Sequence, residues 1–281
     1  MDKVADVDAI FWAIHQPLDE EILNAAGPKL KIIVTMNAGT DHIDLEAVRK
    51  RNIKLANTPK LLNKAVADVA ILLTLAASRR LQEGRMHIEK GIWSGVGVQY
   101  LLGTDLENST VGIVGLGGIG QAIAKRLKAF DIGRLLYSGH REKSEGKQLG
   151  AEFVSFKTLL RESDFVIVAA PLTDETRHMF NRTTFSLMKN SSVFVNIARG
   201  LIVDQDALIE ALKDGTIFAA GLDVMVPEPL PTDSELLKLP NCVLTPHIGS
   251  ATISVRKQLA ELAADNIILG LQGKPLLTPV F

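Results

Sequence analysis

The chain of 281 residues is predicted to be an α/β protein built on parallel sheets. Short apolar runs alternate with helical patterns almost throughout, a rhythm that calls for parallel strands with helices on their faces. The rhythm runs once near the N-terminus and again from Ser109. In the second series an apolar strand, Val111-Gly112-Ile113-Val114, leads straight into a glycine-rich turn and a helix, which is a β-α junction.

The first series opens with buried strands over Ala9 to Ile14 and Lys31 to Thr35. Between them Asp19 to Ala26 reads as a helix closed by Gly27-Pro28, residues that stop helices. Asp44 to Arg51 is a second short helix and Lys54 to Ala56 a third strand. Asn63 to Arg80 is apolar nearly all round, so it is predicted to be one long buried helix. Gln82 to Leu102 breaks the rhythm, carrying four glycines with Trp93 and Tyr100 and no clear period. A segment of that size is seldom idle; the region of about 80–103 is read as an arm that packs on a second subunit. The second series has strands at Thr110 to Val114, Arg134 to Tyr137, Phe165 to Ala169, Val193 to Ile197, Ala219 to Val224 and Val243 to Thr245. Its helices are Gly120 to Phe130 and Asp204 to Lys213. A last helix, Thr252 to Gly270, is expected to return to the first domain. The predicted division is therefore 1–63, completed by 252–281, and 64–251.

Bulk properties narrow the function classes. Lys and Arg total 31 against 32 Asp and Glu, so no charge excess points to nucleic acid or an anionic membrane. The longest apolar stretch, Ala65 to Ala77, contains Asp68 and Thr74 and is too short to span a bilayer. Met1 to Asp6 lacks the pattern of a secretory signal. The single cysteine, Cys242, excludes an intramolecular disulfide and fits a reducing compartment. The expected location is the cytoplasm.

Gly115-Leu116-Gly117-Gly118-Ile119-Gly120 lies between a strand and a helix, the context that a dinucleotide fingerprint needs. Gly115 permits the tight turn, Gly117 leaves room for a pyrophosphate, and Gly120 lets helix and strand pack closely. Amides at a helix start would then face the phosphates. A cofactor with a free ribose 2′-hydroxyl calls for an acid about 20 residues further on. The stretch there is Ser138-Gly139-His140-Arg141-Glu142-Lys143, with no carboxylate at the strand tip. Ser138, His140 and Arg141 suit a 2′-phosphate, so NADP(H) is favoured over NAD(H); Glu142 argues the other way.

Three residues downstream suit keto-acid chemistry. Arg199, followed by Gly200, can clamp a carboxylate in two parallel hydrogen bonds and orient the carbonyl; the alternative is a surface ion pair. His247 lies between Pro246 and Ile248-Gly249; an imidazole titrates near neutrality, so it can protonate a developing oxyanion. Glu228, between Pro227 and Pro229, would stabilise the imidazolium. Asp223 is a second acid that could bond the cofactor or His247. His15, His42, His87, His140 and His178 have weaker catalytic cases, although the turn before His42, Asn37 to Asp41, offers amides to a substrate carboxylate. No grouping has metal-ligand spacing, so no metal is predicted.

Taken together, Asn37 to Asp44, Asn57-Thr58-Pro59, Thr110 to Leu127, Asn196 to Gly200, Gly221 to Leu230 and Pro246 to Thr252 resemble the D-2-hydroxyacid dehydrogenase family, nearest its glyoxylate/hydroxypyruvate reductases. The resemblance implies two doubly wound domains, a Rossmann-type cofactor domain and a smaller flavodoxin-like substrate domain, with the active site in the cleft between them. It implies a homodimer, with Arg199, Glu228 and His247 as the catalytic residues and Ala38-Gly39 on the substrate carboxylate. It also puts Pro171, Ile197, Asp223 and Gly249 near the cofactor, and Tyr100 where an aromatic reaches the neighbouring subunit's site. The family opens with a strand and helix, on the order of 40 residues, ahead of the part matching Met1. Gly118 stands where relatives often carry arginine, and Asp68 where they often carry glutamate.

The expected activity is NADPH-dependent reduction of small 2-keto acids such as glyoxylate and hydroxypyruvate. The same three residues would also serve a dehydrogenase of longer acids, of the 2-ketogluconate or phosphoglycerate type, though no phosphate-binding cluster is evident near Trp12 to Gln16. Proteins of this fold also act as dinucleotide-sensing corepressors; the chain shows no long disordered tail of that kind.

Overall fold

The computed structural model describes residues 4–14 and 16–281. In chain order the elements are β1 Ala9–Trp12, α1 Glu20–Ala26, β2 Ile32–Thr35, α2 Leu45–Lys50, β3 Lys54–Ala56, α3 Asn63–Ser78 and α4 Leu81–Glu89. They continue with β4 Thr110–Val114, α5 Gly118–Leu127, β5 Arg134–Ser138, α6 Ser144–Gln148, β6 Ala151–Phe153, α7 Phe156–Glu162 and β7 Phe165–Val168. Last come α8 Arg182–Phe185, β8 Val193–Asn196, α9 Gln205–Lys213, β9 Ala219–Leu222, β10 Cys242–Leu244 and α10 Ile253–Leu271. The chain divides into two compact units, residues 1–62 with 250–281, and residues 63–249. Among the described residues no helix is long and apolar enough to cross a membrane.

The smaller unit holds a parallel sheet in the order β1-β2-β3. Asp19 caps α1 by accepting from the backbone of Glu21 and Ile22, and Gly27, at φ +79°, ends it. A buried cluster of Ile10, Leu18, Leu23, Ile33, Val48 and Leu55 joins the sheet to its helices. The helix α10 covers β2, with Gly270 against the Ile32 side chain. At the β3 edge the C-terminal tail pairs antiparallel, Ala56 opposite Pro279.

The larger unit is a parallel sheet of seven strands in the order β10-β9-β8-β7-β4-β5-β6. The order turns back between β4 and β7, so the C-terminal ends of those strands frame a crevice where ligands of such sheets bind. All four residues of β7, β8 and β9 are buried, which is why their sequences read as apolar runs, broken only by Asn196 at the end of β8. Phe180, Phe185 and Phe194 pack on one another beneath the sheet, with centroids as close as 4.8 Å.

Two readings of the sequence need correction. The irregular stretch from Gln82 begins with a helix, α4, which has no buried residue; without a buried face it leaves no apolar period to detect. The helix after the glycine turn starts at Gly118 rather than Gly120 and closes in a 3₁₀ turn over Lys128–Phe130. The short elements α6, α7, α8 and β6 add to the predicted scheme; β6 has three residues, two of them exposed, too few to show alternation.

Candidate active site

The glycine turn leaves β4 at the crevice. Gly115 adopts φ +95°, and a β-carbon there would lie 2.8 Å from the Ala170 backbone, so only glycine fits. Its amide bonds the Ser138 carbonyl at 2.9 Å, fixing the tip of β5 beside the turn. A β-carbon on Gly120 would lie 2.2 Å from the Gly115 carbonyl oxygen, so strand and helix touch through backbone alone. At Gly117, the cap of α5, the β-carbon position faces open space. Amides at the start of α5 and an unobstructed approach suit a pyrophosphate. Gly118 and Ile119 begin the helix, Gly118 with the Asn63 amide over it.

Ser138, the last residue of β5, is buried, while His140 and Arg141 beyond it are exposed. Lys143 ends the same stretch. Its Nζ donates to the Leu116 carbonyl at 3.1 Å and its backbone amide to the Tyr137 hydroxyl at 2.8 Å. The loop therefore folds back and brings a cation to the glycine turn, a contact that no local pattern announces. Pro171 is exposed just past β7, and Ile197 is buried just past β8.

Arg199, Glu228 and His247 follow the C-terminal ends of the neighbouring strands β8, β9 and β10. Asn196 shapes the first turn: its Oδ1 accepts from Ala198 N at 3.0 Å and its Nδ2 donates to the Arg199 carbonyl at 2.9 Å. The Arg199 guanidinium donates from Nη1 to the Ala198 carbonyl at 2.9 Å. Gly200 packs on the Met225 backbone, where a β-carbon would meet the carbonyl oxygen at 2.3 Å. Met225 N donates to Glu228 Oε1 at 3.0 Å. Gln205, not singled out from sequence, binds both backbone groups of Val226, at 2.9 Å and 2.5 Å. The arginine turn and the glutamate loop are thereby one packed assembly.

The other Glu228 oxygen, Oε2, lies 2.7 Å from His247 Nδ1. Both side chains are partly exposed, at 24% for the histidine and 31% for the glutamate. An ionised carboxylate only accepts, so Nδ1 carries the proton. His247 sits at φ +54°, a strained setting for a residue with a β-carbon. Asp223 holds it there. Its carbonyl accepts from His247 N at 2.9 Å. Its buried carboxylate accepts from Thr245 Oγ1 at 2.6 Å, Ile248 N at 2.9 Å and Gly249 N at 2.8 Å. Asp223 acts on the shape of the histidine loop, and the ring itself answers to Glu228.

In the smaller unit, Ala38 and Gly39 lie in the turn after β2. Neither backbone N–H donates to another group among the described residues, so both are available to an anion. His42 Nε2 lies 3.3 Å from Thr35 Oγ1, a contact that ties the ring into the turn. Tyr100 Oη lies 3.0 Å from His87 Nδ1. His15 lies outside the described residues. Among the described residues no group of three or more His, Cys, Asp or Glu could hold a metal ion.

Comparison with known proteins bears on this site. Residues 71–249 match the family described as D-isomer specific 2-hydroxyacid dehydrogenase, NAD binding domain. The chain is 46% identical over 274 residues to the human glyoxylate reductase/hydroxypyruvate reductase, covering 97% of this chain and 84% of that protein. It is also 46% identical to the Pyrococcus horikoshii glyoxylate reductase, over 97% of this chain and 82% of that one. The NADPH-dependent glyoxylate/hydroxypyruvate reductase of Sinorhizobium meliloti, solved with NADP and malonate, superposes with a TM-score of 0.89 at 33% identity, covering 100% of this chain and 86% of that one.

Proposed function

Because the chain belongs to the D-isomer-specific 2-hydroxyacid dehydrogenases, we propose that it reduces small 2-keto acids, glyoxylate and hydroxypyruvate, to 2-hydroxy acids with NADPH. The observation that carries this is the 2.7 Å contact between His247 Nδ1 and Glu228 Oε2, beyond adjacent strand ends that also bear Arg199. When bound, the reduced nicotinamide supplies hydride to the carbonyl carbon. With its Nδ1–H committed to Glu228, the doubly protonated His247 ring delivers the Nε2 proton to the oxygen as negative charge develops there. Glu228, accepting from Nδ1, fixes the orientation of the ring and leaves it as the Nδ1–H tautomer once the Nε2 proton has gone. Arg199 pairs with the substrate carboxylate and orients the carbonyl, and Ala38 and Gly39 are proposed carboxylate donors of the smaller unit. The glycine turn from Gly115 to Gly120 would hold the pyrophosphate.

Support for NADP(H) over NAD(H) comes from the β5 tip, where Ser138, His140 and Arg141 stand in place of an acid and Lys143 reaches the glycine turn. The proposed homodimer is supported by the arm after α3, which exposes Leu81, Ile88, Ile92, Trp93, Val96 and Val98, apolar side chains that a second subunit would cover. A cytoplasmic setting is part of the same proposal.

The test is purified protein with NADPH or NADH and a panel of 2-keto acids, followed by cofactor absorbance. Turnover of glyoxylate and hydroxypyruvate with a preference for NADPH is expected, and H247N should lower kcat about 100-fold or more. An unchanged kcat in H247N would remove the proposed mechanism. Turnover confined to longer sugar acids would move the substrate assignment, and cofactor binding without turnover would exclude a reductase.

A further inference from the structure

The turn over residues 37–39 owes its shape to groups from distant parts of the chain. A trans peptide is planar, and its C=O and N–H point in opposite directions. Fixing a carbonyl therefore aims the amide that shares its plane. Asn57 Nδ2 donates to the Ala38 carbonyl at 2.7 Å, which aims the Gly39 N–H the other way. Thr58 N donates to the Asn37 carbonyl at 3.1 Å, which does the same for the Ala38 N–H. The Asn37 side chain is itself held, its Nδ2 donating to Thr35 Oγ1 at 3.1 Å. Two consecutive amides are thus oriented before any ligand arrives.

Asn57 is in turn held on both backbone groups by a single residue of the C-terminal tail. Its N–H donates to the Thr278 carbonyl at 3.2 Å, and its carbonyl accepts from Thr278 Oγ1 at 2.6 Å. Thr278 hangs from Asn266 of α10. Asn266 Oδ1 accepts from Leu277 N at 3.0 Å and Thr278 N at 3.2 Å. Its Nδ2 donates to Thr278 Oγ1 at 3.1 Å and to the Leu262 carbonyl at 2.8 Å. Asn266 is fully buried. A primary amide is a poor choice for a buried helix position unless its hydrogen bonds are met, and here both ends of the amide are used. The hydroxyl of Thr278 relays between them, accepting from Asn266 and donating to Asn57.

We propose that Asn266, Thr278 and Asn57 are positioning residues for substrate, a relay through which the C-terminal tail sets the direction of the two amides that take the keto-acid carboxylate. The proposal rests on the reading of Ala38 and Gly39 as carboxylate donors. It assigns the tail a role beyond closing the edge of β3. That closure uses backbone pairing, Val280 N to the Leu55 carbonyl at 2.9 Å, and does not need the Thr278 hydroxyl.

That difference supplies the experiment. T278V keeps the tail's backbone and bulk but loses the relay, T278S keeps the hydroxyl, and N57A removes the donor to Ala38. Each variant is measured for KM and kcat with glyoxylate at saturating NADPH, for NADPH affinity by fluorescence titration, for inhibition by oxalate, and for thermal melting. In T278V and N57A the glyoxylate KM and the oxalate inhibition constant should rise together by about tenfold, the scale of one misaligned hydrogen bond. In both, kcat should change less than about threefold and NADPH affinity should hold, while T278S recovers the low KM. Folded T278V and N57A with unchanged KM and oxalate inhibition would overturn the proposal, as would a parallel loss of NADPH affinity. Absence of keto-acid turnover in the unaltered protein would instead overturn the functional reading on which it rests.

Discussion

Replacing Asp223 by asparagine should damage the histidine loop while leaving the sheet intact. Asp223 is 1% exposed, and its carboxylate accepts from Thr245 Oγ1, Ile248 N and Gly249 N. Asparagine offers one acceptor oxygen and turns an NH₂ toward a group that also donates. The Gly249 amide, which meets Oδ2, then loses its acceptor in a buried site. Loss of one bond to a charged group costs about 1.5–3 kcal/mol, and a stranded donor adds about 1 kcal/mol. For a unit of this size each kcal/mol lowers Tm by about 2–4 °C, so a fall of roughly 5–15 °C is expected by circular dichroism. Displacing the His247 backbone should lower kcat/KM for glyoxylate by roughly 100-fold, the usual penalty for a misplacement of about 1 Å. T245V, which removes only the hydroxyl partner, should cost about 1 kcal/mol. Unaltered melting and unaltered kcat/KM in D223N would refute the claim that this carboxylate organises the loop.

Two further outcomes are expected. G120A forces a β-carbon to 2.2 Å from the Gly115 carbonyl oxygen, so it should lower Tm and weaken NADPH binding by more than about tenfold, as measured by melting and titration. Burial pushes the Cys242 thiol up to about 12 from 9.0. The folded state thus favours the neutral thiol, and this group's contribution to stability is intact below pH 9 and falls as pH rises toward 12. Iodoacetamide at pH 8 should label the protein only after denaturation; rapid labelling of the native chain would contradict the buried placement.

Much of this architecture was legible because the strands of the larger sheet are buried on both faces. Phe165 to Val168 and Val193 to Val195 are uninterrupted apolar words with few other interpretations. The glycine turn could be read because its backbone approaches exclude side chains. Arg199, Glu228 and His247 stood out through their neighbours, and the Nδ1–Oε2 contact joins two of them. Other contributors left no local mark. Lys143 reaches Leu116 from a different loop, Gln205 meets Val226 across the chain, and Asn57, Thr278 and Asn266 form one relay from widely separated positions. Such contacts depend on tertiary folding, and spacing in a single sequence does not encode them. The helix α4 left no mark for another reason: none of its residues is fully buried.

The proton donor and the anion clamp are mounted on strands of unequal security. Arg199 follows β8, which is paired on both sides, whereas His247 follows β10, a rim strand of three residues that pairs with β9 alone. Rim strands fray before interior ones. Mild heating should therefore silence acid catalysis while the interior of the sheet, with the nucleotide turn after β4, still holds its shape. Inactivation would precede melting, and the earliest thermal lesion in this molecule would be a chemical one.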